Sequence, residues 1–513
     1  MNKISIPLAA ITMLMLAANA FSASLQTIPL YHWTYDIIDE LVVRGCLHDL
    51  NHLTKPYNYA QITQALDNCS LQPDDPHSEQ LLKLLNDYFT VDSDRKLQLG
   101  TYIDQDLKIR DDQLKPRTAL LTKIGYAVSD RLVLFNSMRL DQNLQDDPEY
   151  QGKYWRGFSG YTEQAYIAAG FGPLAIQFGR DYQQWGAGRK SNLLFSDNSL
   201  PFDLGRLTLN AGKFTFTMTA MQLDQITAAN SNLAAGAVDS TRKNRFLTAH
   251  RIDWKVSDKL QIGFSESVLY GGAGRNFEWQ FLNPVMIYHF EQENRSIEGN
   301  TIVGADFIAF PAKNWSVYGE LIVDDWQFDR KKVSDLEPPE VGWIIGCRKA
   351  APFNLATAVA GLEYSGVTNR TYNTLQPEQK HLHQDKNIGH ELGNNFDCWL
   401  FEVSNWFTPN FQGTFNFSFI RNGEGSVHAP FDTSFYAVEN VSDGYSEPFP
   451  FGIVERTYKP GIGLWYRYHE RLFFRLQSEY SFSNNYLNEK GVKNEDYFIV
   501  LGLNFQFDGF FDI

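Results

Sequence analysis

The sequence predicts a mainly β protein: a transmembrane antiparallel β-barrel of about 18 strands, preceded by a small α-helical bundle. Three observations predict it, namely an export signal, a two-residue hydrophobic period from Leu97 to Phe507, and tight turns that alternate with long connections. Aromatic residues make up 14% of the chain, yet the mean hydropathy is −0.33. The aromatic residues are therefore interleaved with polar ones, as a wall between lipid and a polar lumen requires.

The chain begins with a pattern typical of a secretory signal peptide. Lys3 precedes an apolar run over residues 4–18, and Ala18 and Ala20 form a small-residue cleavage pattern. We expect residues 1–20 to be removed on export. No uninterrupted apolar stretch of about 18 residues follows, so no transmembrane helix is expected in the mature chain.

Residues 25–95 show a helical period and predict a periplasmic helical bundle. The first helix carries Trp33, Ile38 and Leu41 and ends at Gly45. The second begins after Asn58 as N-cap and the third spans residues 78–89. Cys46 and Cys69 lie close in sequence here, and they form either a disulfide in an oxidising compartment or two buried thiols.

Residues 97–507 predict the outer-membrane β-barrel. The last strand alternates apolar residues such as Leu501 and Phe505 with polar ones such as Asn504 and Gln506, and we expect it to finish at Phe507. Residues 508–513 would then trail beyond the barrel. The predicted strands run over roughly nine to thirteen residues, the length of a tilted membrane strand rather than that of a soluble sandwich.

The connections of the predicted barrel alternate between tight turns and long loops without exception. Eight tight turns join sixteen strands, and one more strand at each end brings the count to eighteen. An even count places both ends of the barrel beside the helical bundle. The tight turns lie near these positions: Ser129, Gly172, Ala211, Ser257, Ala312, Ala351, Thr408 and His469.

Composition and motifs argue against several functions. The net charge of −15 disfavours nucleic acid as a partner, because phosphate backbones select clustered cations. No nucleophile or zinc motif accompanies the scattered histidines, and His381 and His383 on an extended segment would make a poor metal site. Asp324 and Asp325 would point to opposite faces of a strand. We therefore expect no enzyme activity, no metal and no cofactor.

At the level of short motifs the chain resembles the Wzi-type capsule assembly proteins, outer-membrane barrels that hold capsular polysaccharide at the cell surface. The strongest fragment is FGRDYQQWGAG over residues 178–188, before 192–198 and 201–203. Weaker fragments follow in the same order along the chain: residues 250–251, 265–266, 282–284, 318–325 and 389–393. The extension beyond Phe507 departs from the usual ending of such barrels on phenylalanine.

The resemblance implies that the protein binds exported capsular or extracellular polysaccharide and helps to assemble or attach it. Its other partners would be outer-membrane lipid and the barrel-insertion machinery of a Gram-negative cell. Aromatic and charged residues near the long connections could contact the polymer, and the candidates are Arg180, Asp181, Tyr182, Trp185, Arg189, Arg275 and Trp279. Equally, the aromatic residues could form a membrane-interface belt and the charges a salt-bridged network.

Two further expectations follow from the strand assignment. We expect residues 180–203 to carry Trp185 and Arg189 over the outer mouth of the barrel, while the turns at Ser257 and Thr408 face the periplasm. We expect Cys347 and Cys398 to remain unbonded, because they lie on strands two apart. A diffusion porin remains an alternative, since the predicted lumen face carries charges of both signs, among them Arg139 and Glu320. A hydrolase is a weaker alternative.

Overall fold

The computed structural model describes residues 25–511 except 70–74, 90–95, 111, 130, 151, 228–241, 296–297, 328–329 and 470. The predicted signal peptide lies outside the described residues. Eighteen antiparallel strands close a barrel in which each strand pairs with its neighbours in sequence. The first nine strands are β1 (Leu97–Arg110), β2 (Gln113–Ser129), β3 (Leu132–Asp141), β4 (Ser159–Phe171), β5 (Leu174–Asp181), β6 (Phe202–Ala211), β7 (Phe214–Gln222), β8 (Lys243–Ser257) and β9 (Leu260–Ala273). The other nine are β10 (Asn300–Ala309), β11 (Trp315–Asp325), β12 (Glu340–Ala350), β13 (Ala358–Val367), β14 (Phe396–Thr408), β15 (Phe411–Asn422), β16 (Glu455–His469), β17 (Leu472–Asn484) and β18 (Lys493–Phe511).

The predicted strand number is confirmed, and the chain reverses at all eight predicted turn positions. Six of these connections have two residues, while those at Ala312 and Ala351 have five and seven. The first strand begins and the last strand finishes at the short-turn end of the barrel, where Leu97 pairs with Phe511. The strict alternation of turns and loops is wrong at one place. Because β1 and β2 stay paired up to Arg110 and Gln113, only two residues remain to connect them at the long-connection end.

The predicted end of the last strand at Phe507 is also wrong, because β18 continues to Phe511. Asp508 faces the lumen and forms an ion pair with Lys123 at 2.5 Å, and the Tyr102 hydroxyl donates to it at 2.7 Å. These partners satisfy the hydrogen-bonding capacity of the Asp508 carboxylate. In the sequence alone, Asp508 looks like the first residue of a solvated tail. An ion pair between Lys123 of β2 and Asp508 of β18 thus stabilises the closure of the barrel, where β1 pairs with β18.

The outer surface of the barrel carries an apolar band. Aliphatic and phenylalanine side chains are exposed around it: Leu99, Ile103, Leu134, Ile167, Phe264, Leu321, Ile345, Phe415, Ile462 and Leu501. Exposed aromatic residues flank this band at the short-turn end, at Tyr126, Phe171, Phe214, Trp254, Trp315 and Tyr466, and at the opposite end, at Trp399, Tyr458 and Tyr480. Such a band between two aromatic girdles is typical of barrels that cross a membrane.

Three helices form the N-terminal domain, residues 25–89: α1 (Thr34–Val43), α2 (Tyr59–Cys69) and α3 (Pro76–Phe89). The helices predicted from the sequence are confirmed. Asn58 caps α2 by accepting from the Gln61 backbone N–H, and the Gln61 side chain accepts in return from the Asn58 backbone N–H. None of the described helices is both long and apolar enough to cross a membrane.

The N-terminal domain lies inside the short-turn end of the lumen rather than beside the barrel. The Asn51 and Thr54 side chains donate to Asp253 of β8, and the Trp406 indole of β14 donates to Glu40 at 2.9 Å. Residues of α1, α2 and α3 share one continuous hydrophobic core with inward-facing residues of the wall. A bundle too small to bury much core of its own is stabilised by the barrel around it.

The first prediction concerns Cys46 and Cys69, whose thiols share a hydrogen bond. We expect them to oxidise to a disulfide in an oxidising compartment, which would stabilise the N-terminal domain by about 3 kcal/mol through loop closure. Cys347 and Cys398 serve as internal controls, since they lie on β12 and β14 with β13 between them. Alkylation of protein isolated without reductant should label those two cysteines alone. Labelling of all four would contradict the prediction.

A second prediction concerns acid. Burial lowers the pKa of His32 and of His52 to about 3, so both are neutral in the folded N-terminal domain. In the unfolded chain both titrate near pH 6.5, so stability is lost as the pH falls below that value towards 3. Each histidine destabilises the domain by about 2 kcal/mol at pH 5. Hydrogen exchange corrected for the intrinsic rate should show α1 and α2 opening at pH 5 before the barrel strands.

The control for the acid prediction is the double variant His32→Gln, His52→Gln. Because glutamine does not titrate, exchange in α1 and α2 of this variant should change little between pH 7 and pH 5. Acid-induced opening of equal size in the variant would show that other groups are responsible.

Candidate functional site

The connection between β5 and β6, residues 182–201, folds into the lumen; we call it the inner loop. Trp185 and Gln184 pair with Thr54 and Lys55 of the N-terminal domain. Trp185 is only 1% exposed and lies edge-on to Phe195, beneath the guanidinium of Arg251. The expectation that this segment carries Trp185 and Arg189 over the outer mouth is therefore wrong. An apolar indole is more stable in this interior contact than over water.

Glu320 of β11 anchors the inner loop. Its carboxylate accepts from the backbone N–H of Gly188 at 2.6 Å, from the Asn192 amide at 2.6 Å and from the Leu193 N–H at 2.9 Å. Gly186 takes a left-handed φ of 120°, and a β-carbon there would clash with the same carboxylate. The glycines of the FGRDYQQWGAG fragment thus let the backbone wrap closely around one buried acid.

Arg189 joins three elements in the interior. Its guanidinium pairs with Glu402 of β14 at 3.1 Å, with Asp36 at 3.3 Å and with Asp39 at 3.5 Å, and its backbone N–H donates to Glu363 of β13. Asp36 and Asp39 belong to α1. Arg189 therefore holds the N-terminal domain, the inner loop and the barrel wall together, as the salt-bridge interpretation of these charges expects.

Two further connections cover the inner loop from the long-connection end. The loop between β13 and β14, residues 368–395, contacts it directly: the Ser196 N–H donates to the Ile388 carbonyl at 2.8 Å and the Glu391 N–H to the Ser191 hydroxyl at 2.9 Å. The loop of residues 423–454 packs on this second loop through Arg370, which pairs with Asp432 and Glu447. These loops close this side of the lumen at the long-connection end, while a cavity of about 310 Å³ remains at the short-turn end between the N-terminal domain and the wall.

The remaining candidate residues divide between the wall and the rim. Asp181 is fully buried and accepts from Gln164, Gln177 and the Thr27 hydroxyl. Arg180 makes a bidentate ion pair with Asp203 of the neighbouring strand. The Tyr182 hydroxyl donates to Glu163 of β4 at 2.9 Å. Asp181 and Arg180 are therefore occupied by contacts within the protein, while Tyr182 borders open space.

Arg275 and Trp279 lie in the connection between β9 and β10, at the long-connection end. Arg275 pairs with Glu278 and lies over the Tyr270 ring. Trp279 is 81% exposed and meets Phe277 edge-on. Of the seven candidate residues, Trp279 is thus the one that presents a large aromatic surface to solvent at this end.

A lumen cavity of about 620 Å³ remains on the other side of the barrel. Its wall comes from β1, β3, β4 and β14 to β18, and its floor comes from the N-terminal domain. Aromatic rings line it, with Trp33 packed on Phe473 and Phe473 on Trp465 at centroid distances of 6.3 and 5.4 Å. Tyr31 projects from the floor with 49% of its surface exposed. The volume falls within the roughly 300 to 1,000 Å³ of ligand pockets.

Polar side chains on the cavity wall include groups with spare hydrogen-bonding capacity. Within the part of the chain that the structure describes, the amides of Gln412, Gln477 and Gln506 have no side-chain hydrogen bond. Asp104 is joined to Asn504 of β18. Asp106 is held by Arg475 through two contacts of 2.7 Å. The cavity therefore offers donors and acceptors beside aromatic faces.

Sequence reasoning missed most of this cavity. Gln412, Gln477 and Gln506 were recognisable as polar-face positions of β15, β17 and β18, but nothing in a strand pattern shows which polar positions stay uncovered. Tyr31 and Trp33 belong to a segment that was predicted outside the barrel. Among the described residues, no cluster of three His, Cys, Asp or Glu could hold a metal ion.

These features define a large closed barrel of eighteen strands, plugged by its own N-terminal domain and inner loop, with one polar and aromatic cavity. Residues 113–496 match the family model described as capsule assembly protein Wzi. The chain belongs to this family.

Solved structures give a consistent picture of the fold. Wzi of Escherichia coli, described as an outer membrane protein involved in group 1 capsule assembly and a carbohydrate-binding β-barrel, superposes with a TM-score of 0.63 at 14% identity, over 95% of this chain and 100% of that chain. OprD of Pseudomonas aeruginosa is more distant, with a TM-score of 0.46 at 9% identity over 80% of this chain and 95% of the other. Sequence comparison with curated proteins finds no match.

The third prediction tests the anchor of the inner loop. Glu320→Gln replaces one acceptor oxygen by an amide that faces backbone donors, so we expect a loss of about 1 to 3 kcal/mol at this site. Trypsin should then cleave the inner loop at Arg189 or Lys190 faster than in the parent protein. The matched control Glu489→Gln changes an exposed residue of the connection between β17 and β18. Equal cleavage rates in both variants would show that Glu320 does not hold the loop.

Proposed function

We propose that the protein is an outer-membrane barrel that binds exported capsular or extracellular polysaccharide and attaches it at the cell surface. The observation that carries the proposal is membership of the capsule assembly family over residues 113–496. The carbohydrate-binding description of the Escherichia coli barrel supports the choice of ligand. The apolar outer band and its aromatic girdles support a location in the membrane.

In this proposal the long-connection end faces the outside and the N-terminal domain faces the periplasm. Trp279 then projects towards the polymer, and its ring can stack on a sugar face. A single such contact gives weak binding. A repetitive polymer engages many copies of the barrel at once, so that weak contacts add up to stable retention.

The filled lumen favours binding over diffusion through a channel. On one side the N-terminal domain, the inner loop and the loop of residues 368–395 share one hydrophobic core with the wall. Catalysis is also disfavoured, because glycoside hydrolysis needs two opposed carboxyl groups that are free to act. Each of the four acids that line the lumen cavity has a partner: Asp36 pairs with Arg189 and Asp104 with the Asn504 amide. Asp106 is held by Arg475, and Glu163 by Arg139 and two tyrosines.

The fourth prediction tests the function and the orientation together. Deleting the gene should move polysaccharide from the cells to the medium, and the parent gene should restore it. Trp279→Ala should restore less cell-associated polysaccharide, because an exposed stacking surface is lost. The matched control is Phe353→Ala, which removes an aromatic residue that is 96% exposed at the short-turn end. Barrel folding is checked for each variant by its heat-dependent mobility in gels.

Retention of polymer by cells that lack the gene contradicts the proposed function. If Phe353→Ala releases polymer and Trp279→Ala does not, the proposed orientation is wrong. Labelling of single cysteines at positions 279 and 353 in intact cells gives an independent measure, with labelling expected at position 279 alone.

A further inference from the structure

We propose that the lumen cavity is a binding site for a short uncharged segment of a glycan, such as a run of neutral hexoses. This inference rests on the proposed function and names the place and the chemical class of the ligand. It concerns residues inside the barrel, whereas Trp279 lies outside on the rim.

The aromatic side of the cavity offers flat apolar surfaces at two levels. Trp33, Phe473 and Trp465 pack on one another with interplanar angles of 35° and 31°. Phe473 is only 4% exposed, so the half-buried Trp33 and Trp465 present the accessible ring surfaces. Tyr31 stands opposite on the floor, fixed by a 2.7 Å hydrogen bond to Glu163. Sugar rings carry apolar C–H faces that pack on such surfaces, and aromatic rings bury them without loss of their own hydrogen bonds.

The polar side of the cavity supplies what sugar hydroxyl groups need. The three free glutamine amides each offer two N–H donors and one acceptor oxygen. Asp104 adds a carboxylate whose one side-chain partner among the described residues is Asn504. A hydroxyl-rich ligand can satisfy these groups together, whereas an apolar ligand would leave them buried and unpaired.

The charges of the cavity disfavour acidic sugars. Four carboxylates line it, Asp36, Asp104, Asp106 and Glu163, against the two guanidinium groups of Arg139 and Arg475. Both guanidinium groups are already engaged by acids of the same lining. Two further cations near the lining are also paired, Arg189 with Asp36 and Lys123 with Asp508. His32 is neutral, because burial lowers its pKa to about 3. A uronate would therefore meet net negative charge in a confined space.

Access comes from the long-connection end. The lining includes just two residues from long connections, Asn143 and Tyr182, and each stands within two residues of a strand end. The wall above the cavity contains the two-residue link between Arg110 and Gln113. The loop of residues 423–454 is held over the opposite side by the ion pairs of Arg370. The connection between β3 and β4 is tied to the loop of residues 368–395, because Lys386 pairs with Asp147 and Glu149. A glycan segment would enter between these loops and the short link from Arg110 to Gln113.

The test uses the full-length protein in detergent and titration calorimetry. The probes are three neutral hexamers, maltohexaose, cellohexaose and mannohexaose, and the acidic hexagalacturonate. We expect at least one neutral hexamer to bind with one site per barrel and hexagalacturonate to bind more weakly. The double variant Gln477→Leu, Gln506→Leu removes two amides at nearly constant volume, which should weaken binding about tenfold. The matched control Gln280→Leu changes a glutamine on the rim and should leave the affinity unchanged.

A second variant tests the charge argument independently of the amides. Asp104→Asn keeps an acceptor for Asn504 and removes one negative charge, so the affinity for hexagalacturonate relative to that for the neutral hexamer should rise several-fold. The inference is overturned if no neutral hexamer binds, if the double variant binds as the parent does, or if hexagalacturonate binds best. If these results occur while deletion of the gene still releases polymer, the proposed function stands without this site. If deletion of the gene releases no polymer, the proposed function is wrong whatever the binding measurements show.

Discussion

The structure depends on the need to fill the space that eighteen strands enclose. A closed barrel of this size has a lumen far wider than its own inward-facing side chains can occupy. The chain fills one side of it with the N-terminal domain, the inner loop and the loop of residues 368–395, which share a single hydrophobic core with the wall. The lumen cavity of about 620 Å³ is a part of the enclosed space that this packing leaves open.

The filling is held in place by charges that are buried and paired. Glu320 satisfies three donors of the inner loop, and Arg189 connects that loop to α1 and β14. Arg251 is fixed between Asp253 and Asp306 and lies over the Trp185 ring. Removing one member of such a network leaves its partner buried without a counter-charge, which is strongly unfavourable. These residues therefore specify one arrangement of the loop, in addition to any stability they contribute.

The sequence predicts the wall better than the interior. Strand number, tight turns and helices follow from local signals: the two-residue period, the turn residues and the Asn58 cap. The position of Trp185 does not, because an aromatic residue in a glycine-rich connection fits a surface loop and an inward fold equally well. The end of β18 was misjudged for a related reason. Asp508 resembles a solvated residue until Lys123 and Tyr102, distant in sequence, are seen beside it.

The seam between β1 and β18 has a consequence for how the molecule is assembled. Asp508 lies in β18, and besides its ion pair with Lys123 it accepts a hydrogen bond from the Tyr88 hydroxyl of α3 at 3.4 Å. The N-terminal domain is tethered to β1, the other edge of the same seam. The N-terminal domain therefore contacts both strands of the seam, so that closure of the barrel and packing of the domain stabilise each other.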